Sequence, residues 1–185
     1  MKLIIGLGNP GKEFHSTRHN IGARCIDQIS VSTNISLSEK ASLSFWGRGT
    51  IGNEDVVLAK PRTFMNNSGE VCLNLVNRFD LNVQNLIVIY DDMDIPFGRI
   101  RIRSHGASGG HKGLDSIITL LDSDQFPRVR IGIGRPEDHT NYIQHVLSKF
   151  DAEEESGVPE IIQTTCASVI DLINNGVEYA MNRYN

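Results

Sequence analysis

The first twenty residues, MKLIIGLGNPGKEFHSTRHN, constrain the chain more than any other stretch. Leu3, Ile4, Ile5 and Leu7 form a short apolar run of the kind that makes a buried strand. Glycines and Pro10 end it, and Asn9 sits in the turn at its carboxyl end. Apolar positions then recur at Ile21, Cys25, Ile26 and Ile29, which predicts a helix to about Val31 with Thr17 as its N-cap. A strand, a turn and a helix in this order point to an α/β sheet, whose ligands bind at strand carboxyl ends. His19 falls at the helix start, ten positions after Asn9. An amide beside an imidazole suits the binding of a carbonyl or sugar hydroxyl and the uptake of a proton near neutral pH.

Gly6, Gly8 and Gly11 also spell G-x-G-x-x-G, but a dinucleotide site needs a helix opening at the third glycine and an acid ending the next strand. Lys12–Thr17 is polar and irregular, and residues 30–38 are rich in Ser, Asn and Thr, so neither condition is met well. Nothing in the 185 residues reads as a secretory signal or a membrane span, and the length suits one domain. Cys25, Cys72 and Cys166 are widely spaced, odd in number and set in apolar patterns. They read as buried thiols of a cytoplasmic protein, neither disulfide framework nor zinc site. The formal net charge is −4, yet Phe97–Arg135 holds seven Arg or Lys against three Asp. One basic region on an acidic body is the distribution expected of a local phosphate contact.

Downstream, Leu43–Ile51 and Val56–Lys60 read as a hairpin around residues 52–55. Pro61 stops the second strand, and Phe64, Met65 and Asn66 precede a helix over about Gly69–Phe79. Leu86–Tyr90 is a central strand, followed at once by Asp91, Asp92 and Asp94. Three acids at a strand end fit a magnesium site, a solvated turn, or one carboxylate that orients a histidine. Arg99, Arg101 and Arg103 alternate with isoleucines and so share one face of a strand. The glycine-rich run Ser104–Gly113 opens a helix through Leu114, Ile117, Ile118 and Leu121, a geometry that favours an anion, with Lys112 inside it. Val129–Ile133 is another strand, with Arg128 and Arg130 on one face. Residues 137–148 read as a polar flap. Asp151 and Glu154 resemble a capping box, a helix then runs past Ile173, and Gly176 separates it from a last helix over Val177–Arg183.

Four stretches together resemble the bacterial-type peptidyl-tRNA hydrolase family: GLGNPG…TRHNIG (6–22), KPRTFMNNSG (60–69), DDMDIPFGRIRIRSHGASGGHKG (91–113) and RVRIGIGRP (128–136). The resemblance spans nearly the whole chain, and the set is far more specific than any one stretch. It implies a single-domain α/β sandwich over residues 1–185, a twisted mixed sheet with helices on both faces. It implies hydrolysis of the ester between a peptide and the 3′ ribose of tRNA, without cofactor or metal, by a cytoplasmic monomer with no membrane or obligate protein partner. His19 would be the base, Asp91 its orienting carboxylate, and Asn9 and Asn66 the amides that hold substrate and oxyanion. Phe14, Phe64, Met65, His111 and Lys112 would line the substrate site, and Arg103 and Arg130 would clamp a tRNA phosphate. Two positions depart from the family pattern: Lys112 stands where Asn is usual, and Phe14 where Tyr is common. A lysine there donates but cannot accept. The rival reading from another class is a non-catalytic RNA-binding protein on the same fold. A metal-dependent phosphoesterase using Asp91, Asp92 and Asp94 is the third.

Overall fold

In the computed structural model, residues 1–136 and 141–185 are described. Alternation sets the two faces of its sheet. In β1 (Lys2–Gly6), Leu3 and Ile5 enter one apolar layer and Ile4 the other. β5 (Leu86–Asp92) repeats this, with Leu86, Val88 and Tyr90 on the first side and Ile87 and Ile89 on the second. Strands buried on both faces read as continuous apolar runs, which is why these two were legible. Each such Leu or Ile contributes about 1.5–3 kcal/mol relative to exposure.

The remaining strands are β2 (Glu39–Lys40), β3 (Ser44–Ile51), β4 (Glu54–Pro61), β6 (Ile100–Arg103) and β7 (Arg128–Gly132). They join in the order β2-β3-β4-β1-β5-β7-β6. β4, β1, β5 and β7 run parallel, while β2–β3, β3–β4 and β6–β7 are antiparallel. The sheet is therefore mixed, as expected.

One layer is covered by α1 (Ile21–Thr33), α5 (Ala152–Asn175) and α6 (Val177–Tyr184), the other by α2 (Ser68–Arg78) and α3 (Lys112–Leu121). The short α4 (Tyr142–Leu147) occupies part of the segment expected to be a flap; residues 137–140 of that segment lie outside the described residues. No helix among the described residues is long and apolar enough to cross a membrane.

Several local expectations change. The β3–β4 turn is two residues, not four: Glu54 and Asp55 already pair with Ile51 and Thr50. Gly52, at φ 60°, permits the tighter turn. Thr17 does not cap α1, because a single 3-10 turn, Arg18–Asn20, intervenes; its hydroxyl donates to Phe14 O at 2.8 Å. Arg128 does share a face with Arg130, but only 1% of it is exposed. The Asp151–Glu154 capping box forms as expected, and α5 continues through Pro159. Asn185 lies against the outer edge of β6: its side chain accepts from Ile102 N at 2.7 Å and donates to Ile102 O at 3.1 Å, and its carbonyl accepts from Arg101.

Candidate active site

β1 is followed by α1, which leads back to the β3–β4 side; β5 leads on to β6 and β7. β1 and β5 therefore flank the point where the connections part, where α/β sheets bind ligands. Two glycines let the chain close up here. A Cβ on Gly22 would lie 2.3 Å from Ile89 O, and one on Gly6 would lie 2.1 Å from Gly22 O. Without side chains the start of α1 lies directly on β1 and β5. The preceding 3-10 turn then sets His19 beside Asp91, the sixth residue of β5. Much of the glycine run is thus explained by close packing, with no nucleotide required. Arg18 anchors the same turn from the other side. It donates to Ser148 Oγ at 2.6 Å and Lys149 O at 2.5 Å, pairs with Glu154, and lies over the Phe150 ring.

His19 Nδ1 lies 2.8 and 2.9 Å from the two Asp91 oxygens. An ionised carboxylate only accepts, so Nδ1 carries the proton and Nε2 keeps its lone pair. Burial alone would lower the His19 pKa, but the charge and hydrogen bond of Asp91 outweigh it and hold the pKa above the ordinary 6.5. Burial would likewise raise the Asp91 pKa; His19 and His111 overcome it and keep this carboxyl well below the usual range.

The second imidazole is tied at both nitrogens. His111 caps α3, its Nδ1 accepting from Leu114 N at 3.2 Å, so the proton sits on Nε2, which donates to Asp91 Oδ1 at 3.1 Å. Tyr90 packs edge-on against its ring, centroids 4.9 Å apart. With both nitrogens engaged, His111 is a second donor to Asp91. That role was hidden in the sequence, although a histidine just before a helix is a legible N-cap candidate.

Asn9 and Asn20 form a mutual amide lock. Asn20 Oδ1 accepts from Asn9 N, and Asn20 Nδ2 donates to Asn9 O, both at 2.9 Å. Asn9 Oδ1 accepts from Met65 N at 2.8 Å, which leaves its Nδ2 as a donor group. Asn9 thus joins the loop after β1 to the loop after β4. Asn20, absent from the expected set, is what fixes it. Asn66 is exposed, with Nδ2 3.0 Å from Asn67 Oδ1. Phe14 and Phe64 meet edge to face at 6.3 Å, and Phe64 is exposed. Met65 is buried, and so close to Gly113 that a Cβ there would lie 2.5 Å from its sulfur.

Residues 104–111 loop over to deliver His111 and Lys112, with Gly106, Gly109 and Gly110 at positive φ. Arg128 holds this loop from beneath, donating to Gly106 O at 2.5 Å, Ala107 O at 3.3 Å and Asp124 O at 2.7 Å, with its guanidinium over Phe126. Lys112 is exposed and lines a cavity of about 390 Å³ with His19, Asp91, His111, Met93 and Tyr142.

The three acids divide. Asp91 serves the histidines, Asp92 accepts from Arg130 Nε at 2.7 Å, and Asp94 accepts from Arg135 Nε at 2.8 Å. A magnesium site built from all three is therefore not formed. His19, Asp91 and His111 do bring potential ligand atoms within 4.8 Å of one another. However, the His111 nitrogen that faces the group bears its proton while Nδ1 caps α3, so this donor set does not suit a metal. Arg130 is already paired, whereas Arg103 is exposed and bonds only the carbonyl of Ile102 among the described residues.

The chain as a whole has close relatives. A profile of the peptidyl-tRNA hydrolase family matches residues 3–185. A peptidyl-tRNA hydrolase of Caldanaerobacter subterraneus subsp. tengcongensis is 49% identical over 100% of both chains. One from Clostridium botulinum is 44% identical over 100% of this chain and 97% of its own. The solved peptidyl-tRNA hydrolase of Acinetobacter baumannii superposes with a TM-score of 0.94 at 34% identity, covering 100% of this chain and 94% of that one. On its sequence and its fold, the chain belongs to the peptidyl-tRNA hydrolase family.

Proposed function

We propose that the protein hydrolyses the ester between a peptide and the 3′ ribose of tRNA, with His19 as general base. The observation that carries this is the His19 tautomer: Nδ1–H is held by both Asp91 oxygens, so Nε2 is the free acceptor. Nε2 takes a proton from water as the water oxygen adds to the ester carbonyl carbon. The resulting imidazolium is stabilised by Asp91. As the tetrahedral intermediate collapses, the bond from carbon to ribose oxygen breaks and the His19 proton passes to that oxygen. The products are a peptide carboxylate and a free ribose hydroxyl.

Asn66 and the Asn9 Nδ2 donate to the substrate carbonyls and the developing oxyanion. A donor of this kind is worth about 3–4 kcal/mol in a hydrolase. Lys112 adds a cation at the cavity rim, and the Phe14–Phe64 pair offers an apolar edge to the peptide. Arg103 and Arg130 hold tRNA phosphate, which supplies affinity and register and no chemistry. The protein works as a cytoplasmic monomer, without cofactor or obligate protein partner.

The test is release of the blocked amino acid from N-acetylaminoacyl-tRNA by the wild-type protein and His19→Ala, with and without a chelator. Chelator-resistant release that the variant loses, with tRNA binding kept within a few-fold, is the expected result. Unchanged release by His19→Ala would remove His19 as the base. Tight tRNA binding with no release by the wild type would favour the RNA-binding reading.

A further inference from the structure

A second concavity, of about 280 Å³, lies on the far side of Asn9 from the proposed tRNA clamp. The parallel strands β4, β1, β5 and β7 present their carboxyl ends along one rim of the sheet, in that order. The His19–Asp91 pair sits at β1 and β5. Arg130 and Arg103 lie toward the β7–β6 end. The cleft lies at the β4–β1 end, where Asn9 follows β1 and Lys60 and Arg62 flank Pro61, the last residue of β4. An ester with its tRNA arm directed toward β6 has its peptide arm directed toward this cleft. Asn9 belongs to both places, since it lines the cleft and ties down the loop that holds Asn66.

The cleft is cationic where it is unneutralised. Lys60 pairs with Asp27. Arg24 pairs with the half-exposed Glu155 at 3.2 Å. Arg62 has no acidic partner among the described residues. One arm is fixed, Nη1 donating to Ala41 O at 2.7 Å, and its guanidinium lies over the Phe45 ring, 5.1 Å from the centroid. Its Nε and Nη2 make no hydrogen bond among the described residues. A guanidinium immobilised on an aromatic ring with donors to spare is pre-organised for a planar oxyanion. His15 is exposed on the opposite lip.

We propose that this cleft is a peptide subsite in which Arg62 receives the side-chain carboxylate of an Asp or Glu upstream of the ester-linked residue. The proposal rests on the hydrolase reading above, and its test separates the two. Blocked di- and tripeptidyl-tRNAs are prepared that differ only in Glu, Gln or Lys at the second or third residue from the ester. N-acetylaminoacyl-tRNA, which has no upstream residue, is the reference. The wild type should turn over a Glu substrate about three- to tenfold faster in kcat/KM than its Gln counterpart, as suits a partly exposed charge-assisted hydrogen bond, with Lys slowest. Arg62→Gln should bring the Glu-to-Gln ratio close to one and leave the reference substrate within about twofold. Arg24→Gln, which removes a cation already paired with Glu155, should change the ratio less. Equal rates for Glu and Gln in the wild type, or a ratio that survives Arg62→Gln, would overturn the proposal. So would a loss by Arg62→Gln on every substrate together with a weaker salt dependence, because the cation would then be holding tRNA phosphate. Failure of the reference substrate with the wild type would instead strike the hydrolase reading itself.

Discussion

Asp91→Asn should be the most damaging conservative change in the protein, through the tautomer of His19. Asp91 accepts two imidazole protons: His19 Nδ1 lies 2.8 and 2.9 Å from its two oxygens, and His111 Nε2 lies 3.1 Å from Oδ1. An asparagine offers one acceptor and one donor group. His111 cannot adapt while its Nδ1 accepts from Leu114 N, so it claims the carbonyl oxygen at the Oδ1 position. The NH2 then falls at the Oδ2 position, 2.9 Å from His19 Nδ1. With the amide reversed it would face both rings. Either way an NH2 group competes with the carbonyl oxygen at His19 Nδ1, which draws the His19 proton toward Nε2, the atom that should take one from water. The cost of a wrong-tautomer histidine in a hydrolase is about ten-thousand-fold in kcat, or about 5.5 kcal/mol. Single-turnover hydrolysis of N-acetylaminoacyl-tRNA, with melting temperature and tRNA affinity measured alongside, reads this directly. Asp91→Ala removes the clash as well as the charge, so it should retain more activity than Asp91→Asn. A kcat for Asp91→Asn within tenfold of wild type, or an alanine variant slower than the asparagine variant, would refute the tautomer argument.

Other outcomes are fixed by the same geometry. The base works only when neutral, and Asp91 holds the His19 pKa above 6.5, so the acid limb of kcat/KM should lie above pH 6.5. The stability from this pair is fully present below the unfolded histidine pKa and is lost as pH rises through the raised one, which urea titrations across that range would record. His111→Ala should cost about 1 kcal/mol through the lost cap. It also leaves Asp91 with one donor, so its charge bears more fully on His19 and the acid limb should shift to higher pH. Arg103→Ala should flatten the salt dependence of tRNA binding by about one unit of slope with little change in melting temperature. Arg130→Ala should do the same and also destabilise by about 1–3 kcal/mol, because it strips the partner from the largely buried Asp92.

How far the sequence revealed this site depended on the range of the forces involved. β1 and β5 were legible because burial on both faces leaves an apolar run, and α1 and α3 because one face repeats at helical spacing. The resemblance named His19, Asp91, Asn9 and Asn66, but the partners of the first three come from other parts of the chain. Arg128 and Arg130 occupy equivalent alternate positions in one strand, yet carbonyls of the 104–107 loop and of Asp124 bury the first and Asp92 pairs the second. Nothing local distinguishes them. The three acids at the end of β5 were equally ambiguous until His19, Arg130 and Arg135 each took one. Thr17 reads as a helix cap because its residue type favours it; the 3-10 turn that displaces it is fixed by Arg18 reaching Glu154 at the start of α5, 136 positions away.

The amide of Asn185 has a bearing on how the protein behaves in a crowded cell. β6 is the outermost strand on its side, and an uncovered strand edge is a template on which another extended chain can assemble. At Ile102 both outward backbone groups are already taken by a single side chain that imitates a neighbouring strand. The opposite margin, β2, is two residues long and carries Glu39 and Lys40. The outermost strands are four and two residues long, and with the Ile102 groups taken each offers little backbone on which fibril-like accretion could begin.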